Sequence, residues 1–263
     1  MAWTRTYAEA EPQRVNRWLA QNGICSRREA EALITRGLVS IDGERVSDPG
    51  RKIAAGQTLT LADEAGAELS SALTVLVHKP AGVVSAHPDR GQPEAAGLLT
   101  PDRLWGEGDG AAPSGRSLPP LGRLDMDSRG LLLLSEDGVA AKAVIGPESA
   151  LDKEYLVEVE GAVTGRKLGL LRHGLQLDGR KLRPAKVGVE PDGRLRFTLT
   201  EGRNRQIRRM CELVALRVTD LFRIRVGPLQ LGDLPEGRWR PLRPEERAAL
   251  IAGADPRAST DSA

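Results

Sequence analysis

Four consecutive leucines at positions 131–134 follow directly on the polar turn Asp125-Met126-Asp127-Ser128-Arg129-Gly130. An apolar run of that density needs cover on both faces, so it reads as a strand inside a core. The chain therefore carries two carboxylates to the mouth of a buried strand. Three chemistries use such a pair: a metal loop, a phosphatase-type aspartate pair, or a single functional carboxylate held where the strand begins.

Asp125, Asp127, Gly130 and Glu136 fall on positions 1, 3, 6 and 12 of a calcium loop. Against that, Arg129 puts a cation on position 5, Leu133 stands at position 9, and the flanks are PPLG and the leucine run rather than two amphipathic helices. A phosphatase pair sits at the end of a buried parallel strand in a doubly wound fold. Here the apolar strand comes after the motif, and the alternating helices of such a fold are missing. The single carboxylate is the reading that best fits, with Asp127 as a cap of the turn.

Composition narrows the setting. Of 38 basic residues only seven are lysine, and the formal net charge is +2, so the chain is not uniformly basic. The two cysteines, Cys25 and Cys211, have no paired spacing, which argues against a disulfide framework or a zinc site and for a reducing compartment. No apolar run approaches the roughly 20 residues of a membrane span. The start, MAWTRTYAEAEPQRV, lacks the apolar core of a signal peptide, so a cytoplasmic setting is expected. Residues 1–12 and 253–263 read as disordered tails.

Residues 13–62 read as a module of their own. QRVNRWLAQNG puts Val15, Trp18 and Leu19 on one helical face and stops at Asn22-Gly23. Ser26 and Glu29 form a capping box for a second helix with Ala30, Leu33 and Ile34 on its buried face. LVSIDGERV is a hairpin on an Asp-Gly turn. Residues 63–72 read as a linker, and 73–252 as a second domain. In it LTVLVHKPAGVVS is a buried strand, a Lys79-Pro80 turn and a second short strand, and the Gly-rich stretch 106–115 is a mobile loop. KEYLVEVEG and RLRFTLTEG alternate as strands, GLQLDGRKL is a hairpin, NRQIRRMCELVALRV is helical, and FRIRVGPLQL is a strand again. Hairpins dominate, so the class is α+β: a largely antiparallel mixed sheet with flanking helices.

The module RVNRWLAQNGICSRREAEALITRGLVSIDGERV resembles an S4 domain, a small RNA-binding fold. The resemblance implies phosphate contacts from Arg14, Arg17, Ser26, Arg27 and Arg28. GRLDMDSRGLLLLSEDG resembles the catalytic motif of pseudouridine synthases, and KEY, EGRNRQIRRMC and RVGPLQLGDLPEGRWRPL follow in that family's order. The set is similar to the single-uridine ribosomal synthases with an N-terminal S4 domain. GICSRREAE and NRQIRRMCE point to members acting on large-subunit rRNA.

The resemblance implies an isomerase that needs no cofactor and no metal. Asp125 would be the nucleophile, Arg208 its ion-pair partner, and Tyr155 the ring that stacks on the uracil. Arg123 would hold the phosphate or the gap left by the extruded base, and Leu229 would line the pocket. Lys79, Arg203, Asn204, Arg205 and Arg209 would contact RNA. The implied partner is structured RNA, 23S rRNA first, with 16S rRNA or tRNA as alternative substrates, and the protein is expected to act as a monomer away from membranes. The rival from another class is a non-enzymatic S4-type RNA-binding or ribosome-assembly factor. Intact Asp125, Tyr155 and Arg208 argue against it.

Overall fold

The computed structural model describes residues 3–106, 113 and 115–254. The chain divides into two compact units: residues 1–73 with 135–142, and residues 74–134 with 143–263. Most of the Gly-rich stretch 106–115 and the segment 255–263 lie outside the described residues.

In the first unit β1 (Trp3–Thr6), β2 (Gln13–Arg14), α1 (Val15–Gln21), α2 (Arg27–Thr35), β3 (Val39–Ile41), β4 (Glu44–Arg45), β5 (Lys52–Ile53), β6 (Thr58–Leu61) and α3 (Asp63–Ser70) follow in order. One sheet runs β1-β6-β3-β4, and β2 pairs with β5. The expected capping box is present: Ser26 Oγ accepts from Glu29 N–H, and Glu29 accepts from Ser26 N–H. Asp42 and Gly43, both at positive φ, make the hairpin turn between β3 and β4. Val15, Leu19, Leu33, Ile34 and Leu59 are all buried at 1% exposure or less and form the core.

Two expectations need correction here. Residues 3–7 are ordered rather than a loose tail, because β1 adds an edge strand to β6 in register Trp3↔Leu61. Tyr7 is fully buried and meets Trp18 edge-on at 5.6 Å between ring centroids. Sparse apolar residues hid this anchor, since two aromatic rings supply the burial that a longer periodic run usually does. The presumed linker 63–72 also forms a helix over most of its length. Ala65 is buried, and Glu64 and Glu68 both pair with Arg36, at 2.9 and 2.6 Å.

The second unit contains β7 (Thr74–Lys79), β8 (Arg129–Ser135), α4 (Gly138–Ile145), β9 (Lys153–Glu160), α5 (Gly165–Arg172), β10 (Gln176–Leu177), β11 (Arg180–Lys181), β12 (Lys186–Val189), β13 (Leu195–Leu199), α6 (Gln206–Leu213), β14 (Arg217–Val226), β15 (Leu229–Gln230), β16 (Trp239–Pro241) and α7 (Pro244–Gly253). The ends of β8 and α4 nearest each other, residues 135–142, group with the first unit. The main sheet runs β12-β13-β9-β14-β8-β7-β16, with β15 on β14. β12, β13, β9, β14 and β15 pair antiparallel in turn, whereas β14 and β8 are parallel.

Leu131 to Leu134 are at most 1% exposed, as their density required. Gly130 shows why the strand begins where it does. It has φ +110°, and a Cβ there would lie 2.2 Å from the backbone oxygen of Arg223 on β14. Only glycine permits the close approach that sets the parallel register Phe222↔Arg129, Arg223↔Gly130.

Candidate active site

Asp125 sits in the turn entering β8, and three contacts hold that turn. Ser128 N–H donates to Asp125 O at 3.1 Å, and Gly82 N–H donates to Met126 O at 2.7 Å. The buried Ser85 hydroxyl donates to Leu124 O at 2.7 Å and accepts from Leu124 N–H at 2.9 Å. Lys79 shapes the segment that supplies Gly82 and Ser85. Its ammonium, fully buried, donates to Pro80 O and Val83 O at 2.9 and 2.6 Å. Burial pushes its pKa down to about 8, against the pull of Asp127 and Asp125. Lys79 therefore braces the Asp125 turn from inside, and its buried ammonium is not exposed for RNA contact, contrary to expectation.

Arg205 takes a left-handed conformation (φ +47°) as the cap residue of α6 and places its guanidinium against both acids. It lies 3.6 Å from Asp125 and 3.2 Å from Asp127. Arg208, on the first turn of α6 and 7% exposed, donates to Asp127 O at 2.8 Å and Ser128 Oγ at 3.2 Å, and pairs with the Asp127 carboxylate at 3.3 Å. Among the described residues the cation paired with Asp125 is thus Arg205, while the expected Arg208 partnership goes to Asp127. Asp127 is correspondingly more than a turn cap. Burial alone would raise its pKa, but hydrogen bonds from Arg205 and the Arg208 charge hold it below the ordinary carboxylate range.

A cavity of about 650 Å³ opens over this turn. Asp125, Arg123 and Ser128 line it from the β8 side, Lys153 and Tyr155 from β9, Leu221 and Arg223 from β14, and 199–208 from the β13–α6 junction. Tyr155 faces Phe197 across β13 and Arg223 across β14 in register. Apolar walls come from Leu124, Val144, Leu199, Ile207 and Leu221. Seven cationic side chains line the cavity (Arg123, Lys153, Arg183, Arg203, Arg205, Arg208, Arg223) against two acids, Asp125 and Glu201. Lys153 is pushed below the ordinary lysine range by burial and by Arg223.

Asp125, Tyr155, Arg208, Arg123, Arg203, Asn204 and Arg205 therefore meet at one cavity, as their motif order implied. Leu229 does not join them. It is 3% exposed and, on β15 opposite Val226 of β14, lines a separate cavity with Leu104, Trp105 and Pro228. Arg203 and Arg209 are engaged by other groups of the protein. Arg203 donates to Leu177 O and Lys181 O at 3.2 and 2.9 Å, and Arg209 holds both oxygens of Asp178 at 3.0 and 2.6 Å. In the first unit Arg14, Arg17, Arg27 and Arg28 are exposed, whereas the Ser26 hydroxyl serves the α2 cap.

Sequence reading missed Ser85, Lys153 and Arg223. Arg223 is 2% exposed and donates to Leu131 O at 2.7 Å and Arg123 O at 3.4 Å, tying β14 to both ends of the Asp125 turn. FRIRVGPLQL reads only as a strand, and nothing local distinguishes Arg223 from its neighbouring arginines.

The calcium-loop reading fails on geometry. Residues 129–135 are extended, and at about 3.3 Å per residue that strand separates Glu136 from Asp125. Glu136 accepts from Leu73 N–H at 2.9 Å. Arg129 pairs with Asp220 at 2.8 Å and lies 4.0 Å over the Phe222 ring.

The S4 domain model matches residues 13–59, and the RNA pseudouridylate synthase model matches residues 73–213. The chain belongs to the RNA pseudouridylate synthase family, as a member with an N-terminal S4 domain, and is an isomerase. It is 32% identical over 240 residues to the dual-specificity RNA pseudouridine synthase RluF of Salmonella typhi, covering 90% of this chain and 78% of that protein. It is 32% identical over 252 residues to ribosomal large subunit pseudouridine synthase B of Bacillus subtilis (strain 168), covering 92% of this chain and 97% of the relative. A pseudouridylate synthase crystal structure superposes with a TM-score of 0.61 at 26% identity, over 90% of this chain and 99% of that one. No helix among the described residues is long and apolar enough to cross a membrane.

Proposed function

We propose that the protein isomerises a uridine of rRNA, in the large-subunit 23S molecule, with Asp125 as nucleophile, acting as a cytoplasmic monomer. The observation that carries this reading is the cavity itself: the Asp125 carboxylate at the entry of β8, in one cavity with the Tyr155 ring, within a wall of seven cations. Arg205, Arg208 and Arg223 shape the wall through their contacts within the protein, and the exposed Arg123 and Arg183 suit a polyanion whose backbone passes the cavity while one base enters. Both named relatives are RNA pseudouridine synthases, and the Bacillus subtilis protein is named for the ribosomal large subunit.

The reaction breaks the N1–C1′ bond, turns the uracil, and joins C1′ to C5. The C5 hydrogen leaves as a proton and N1 takes one up, so atoms balance without redox change or group donor. Asp125 either attacks C1′, displacing N1, and is itself displaced when C5 bonds to C1′, or adds to C6 and is expelled after the C1′–C5 bond has formed. Arg205, 3.6 Å away, pairs with the carboxylate and orients it towards the nucleotide. Tyr155 stacks on the base, Arg123 and Asn204 meet the flanking phosphate, and Arg208 holds the turn through Asp127 and Ser128. Arg14, Arg17, Arg27 and Arg28 of the S4 module contact structured RNA around the target.

Tritium release from C5-labelled 23S rRNA tests the assignment. Asp125→Asn keeps the side chain's size and removes the attacking anion, so release becomes undetectable while RNA binding stays within a few-fold. Substantial release from this variant would refute the nucleophile. Pseudouridine mapping in 23S, 16S and tRNA from a strain lacking the gene identifies the substrate.

A further inference from the structure

The β10–β11 hairpin has almost no core of its own. Its strands are two residues each, joined by Asp178 and Gly179 at positive φ, and of its strand residues only Leu177 is buried. A two-stranded hairpin of that size is marginal in water. Here two arginines of the catalytic segment pin it. Arg203 donates to the carbonyls of Leu177 and Lys181, and Arg209 takes both oxygens of Asp178. The second contact also neutralises the hairpin's one acid.

What remains on the hairpin is cationic. Arg180 and Lys181 are exposed and, among the described residues, make no ion pair. Arg183, just beyond, lines the Asp125 cavity, and its backbone N–H is held by Glu201 at 3.0 Å. Lys186, exposed at the start of β12, extends the same charge. A solvated surface needs no such anchoring, because holding long side chains in fixed pairs costs conformational entropy.

We propose that this hairpin is a second RNA-gripping surface, separate from the S4 module, on which Arg180, Lys181 and Lys186 contact backbone phosphates next to the uridine that enters the cavity. The proposal rests on the RNA-uridine reading above. Pinning by Arg203 and Arg209 sets the grip at a constant distance from the start of α6, where Arg205 meets Asp125.

The test replaces Arg180, Lys181 and Lys186 together by Gln in the full chain, with unmodified 23S rRNA transcript as probe. Expected is a KM for tritium release raised about tenfold at moderate salt, with the loss confined to KM. Each lost phosphate contact removes about 0.7–0.9 from the slope of log affinity against log salt, so the slope becomes shallower by about two to three. A companion variant, Arg180→Lys with Lys181 and Lys186 intact, retains the wild-type slope. An unchanged KM and slope would overturn the proposal. So would a fall in kcat at unchanged KM, which assigns the hairpin to support of the catalytic turn. If the wild-type chain itself releases no tritium, the reading of the reaction fails, and the salt dependence of binding still decides the hairpin.

Discussion

The chain uses two groups of arginines in opposite ways. On α1, its N-cap residue and α2, Arg14, Arg17, Arg27 and Arg28 are exposed and, among the described residues, form no ion pair. At the start of α6, Arg203, Arg205, Arg208 and Arg209 each hold a carboxylate or backbone carbonyls. Both groups read alike in sequence, as basic residues at the opening of a helix. The difference is where the carboxylates are. The second unit supplies Asp125, Asp127 and Asp178 from distant loops, and the first leaves its four cations unmatched. An unmatched cation remains available to an outside anion, whereas a matched one positions the protein around it.

Removing a matched arginine has the largest expected effect. Arg208→Met strips the donor from Asp127 O and from the buried Ser128 Oγ, and leaving a buried acceptor unsatisfied costs about 1–3 kcal/mol. Turnover should drop at least a hundredfold, since displacing a reacting group by about 1 Å is enough for that. RNA affinity should change by no more than a few-fold. Tritium release, filter binding and thermal melting on the same preparation check it. Equal losses in binding and rate would erase the contrast between the groups.

Removing the unmatched group should do the reverse. Changing Arg14, Arg17, Arg27 and Arg28 together to Gln should weaken rRNA binding and make its salt slope shallower by about three to four. The melting temperature should barely move, since exposed substitutions of this kind usually stay within about 0.5 kcal/mol each. A large fall in melting temperature would show that these side chains are structural after all.

The smallest effect is in acid. Asp127 is held below the ordinary range despite burial, by Arg205 and Arg208, and Asp178 by its hydrogen bonds from Arg209. A carboxylate whose folded pKa lies below its unfolded value of about 3.9 stabilises the fold above that pH and loses the contribution as pH falls through the folded value. Melts between pH 6 and pH 2.5 should therefore fall less steeply for an Asp127→Asn/Asp178→Asn double variant than for the wild type. Identical slopes would mean that the α6 pairs are too well screened to matter.

Much of the architecture could be read locally. The capping box at Ser26 and Glu29, the Asp-Gly hairpins, and the alternation of Leu195, Phe197 and Leu199 are short-range patterns, and each element formed as its pattern required. The N-terminal strand and α3 escaped because Trp3 and Tyr7 find Trp18, and Glu64 and Glu68 find Arg36, only after the chain has folded back. Lys79 escaped for a related reason. A lysine beside a proline turn reads as surface, and burial with two carbonyl acceptors is a property of the closed turn.

Sequence alone determined the order of motifs, the buried leucine strand, and the placing of Asp125 at its entrance, because hydrophobic period and turn chemistry act within a few residues. Tertiary structure decided which cation meets which acid. It gave Asp125 to Arg205 and Asp127 to Arg208, buried Arg223 between β8 and β14, and moved Leu229 to another cavity. Ion pairing falls off over a few ångströms, and residues 80 to 100 positions apart come within that range only when strands register. Where β8 meets β14, that register includes a close approach that Gly130 alone permits.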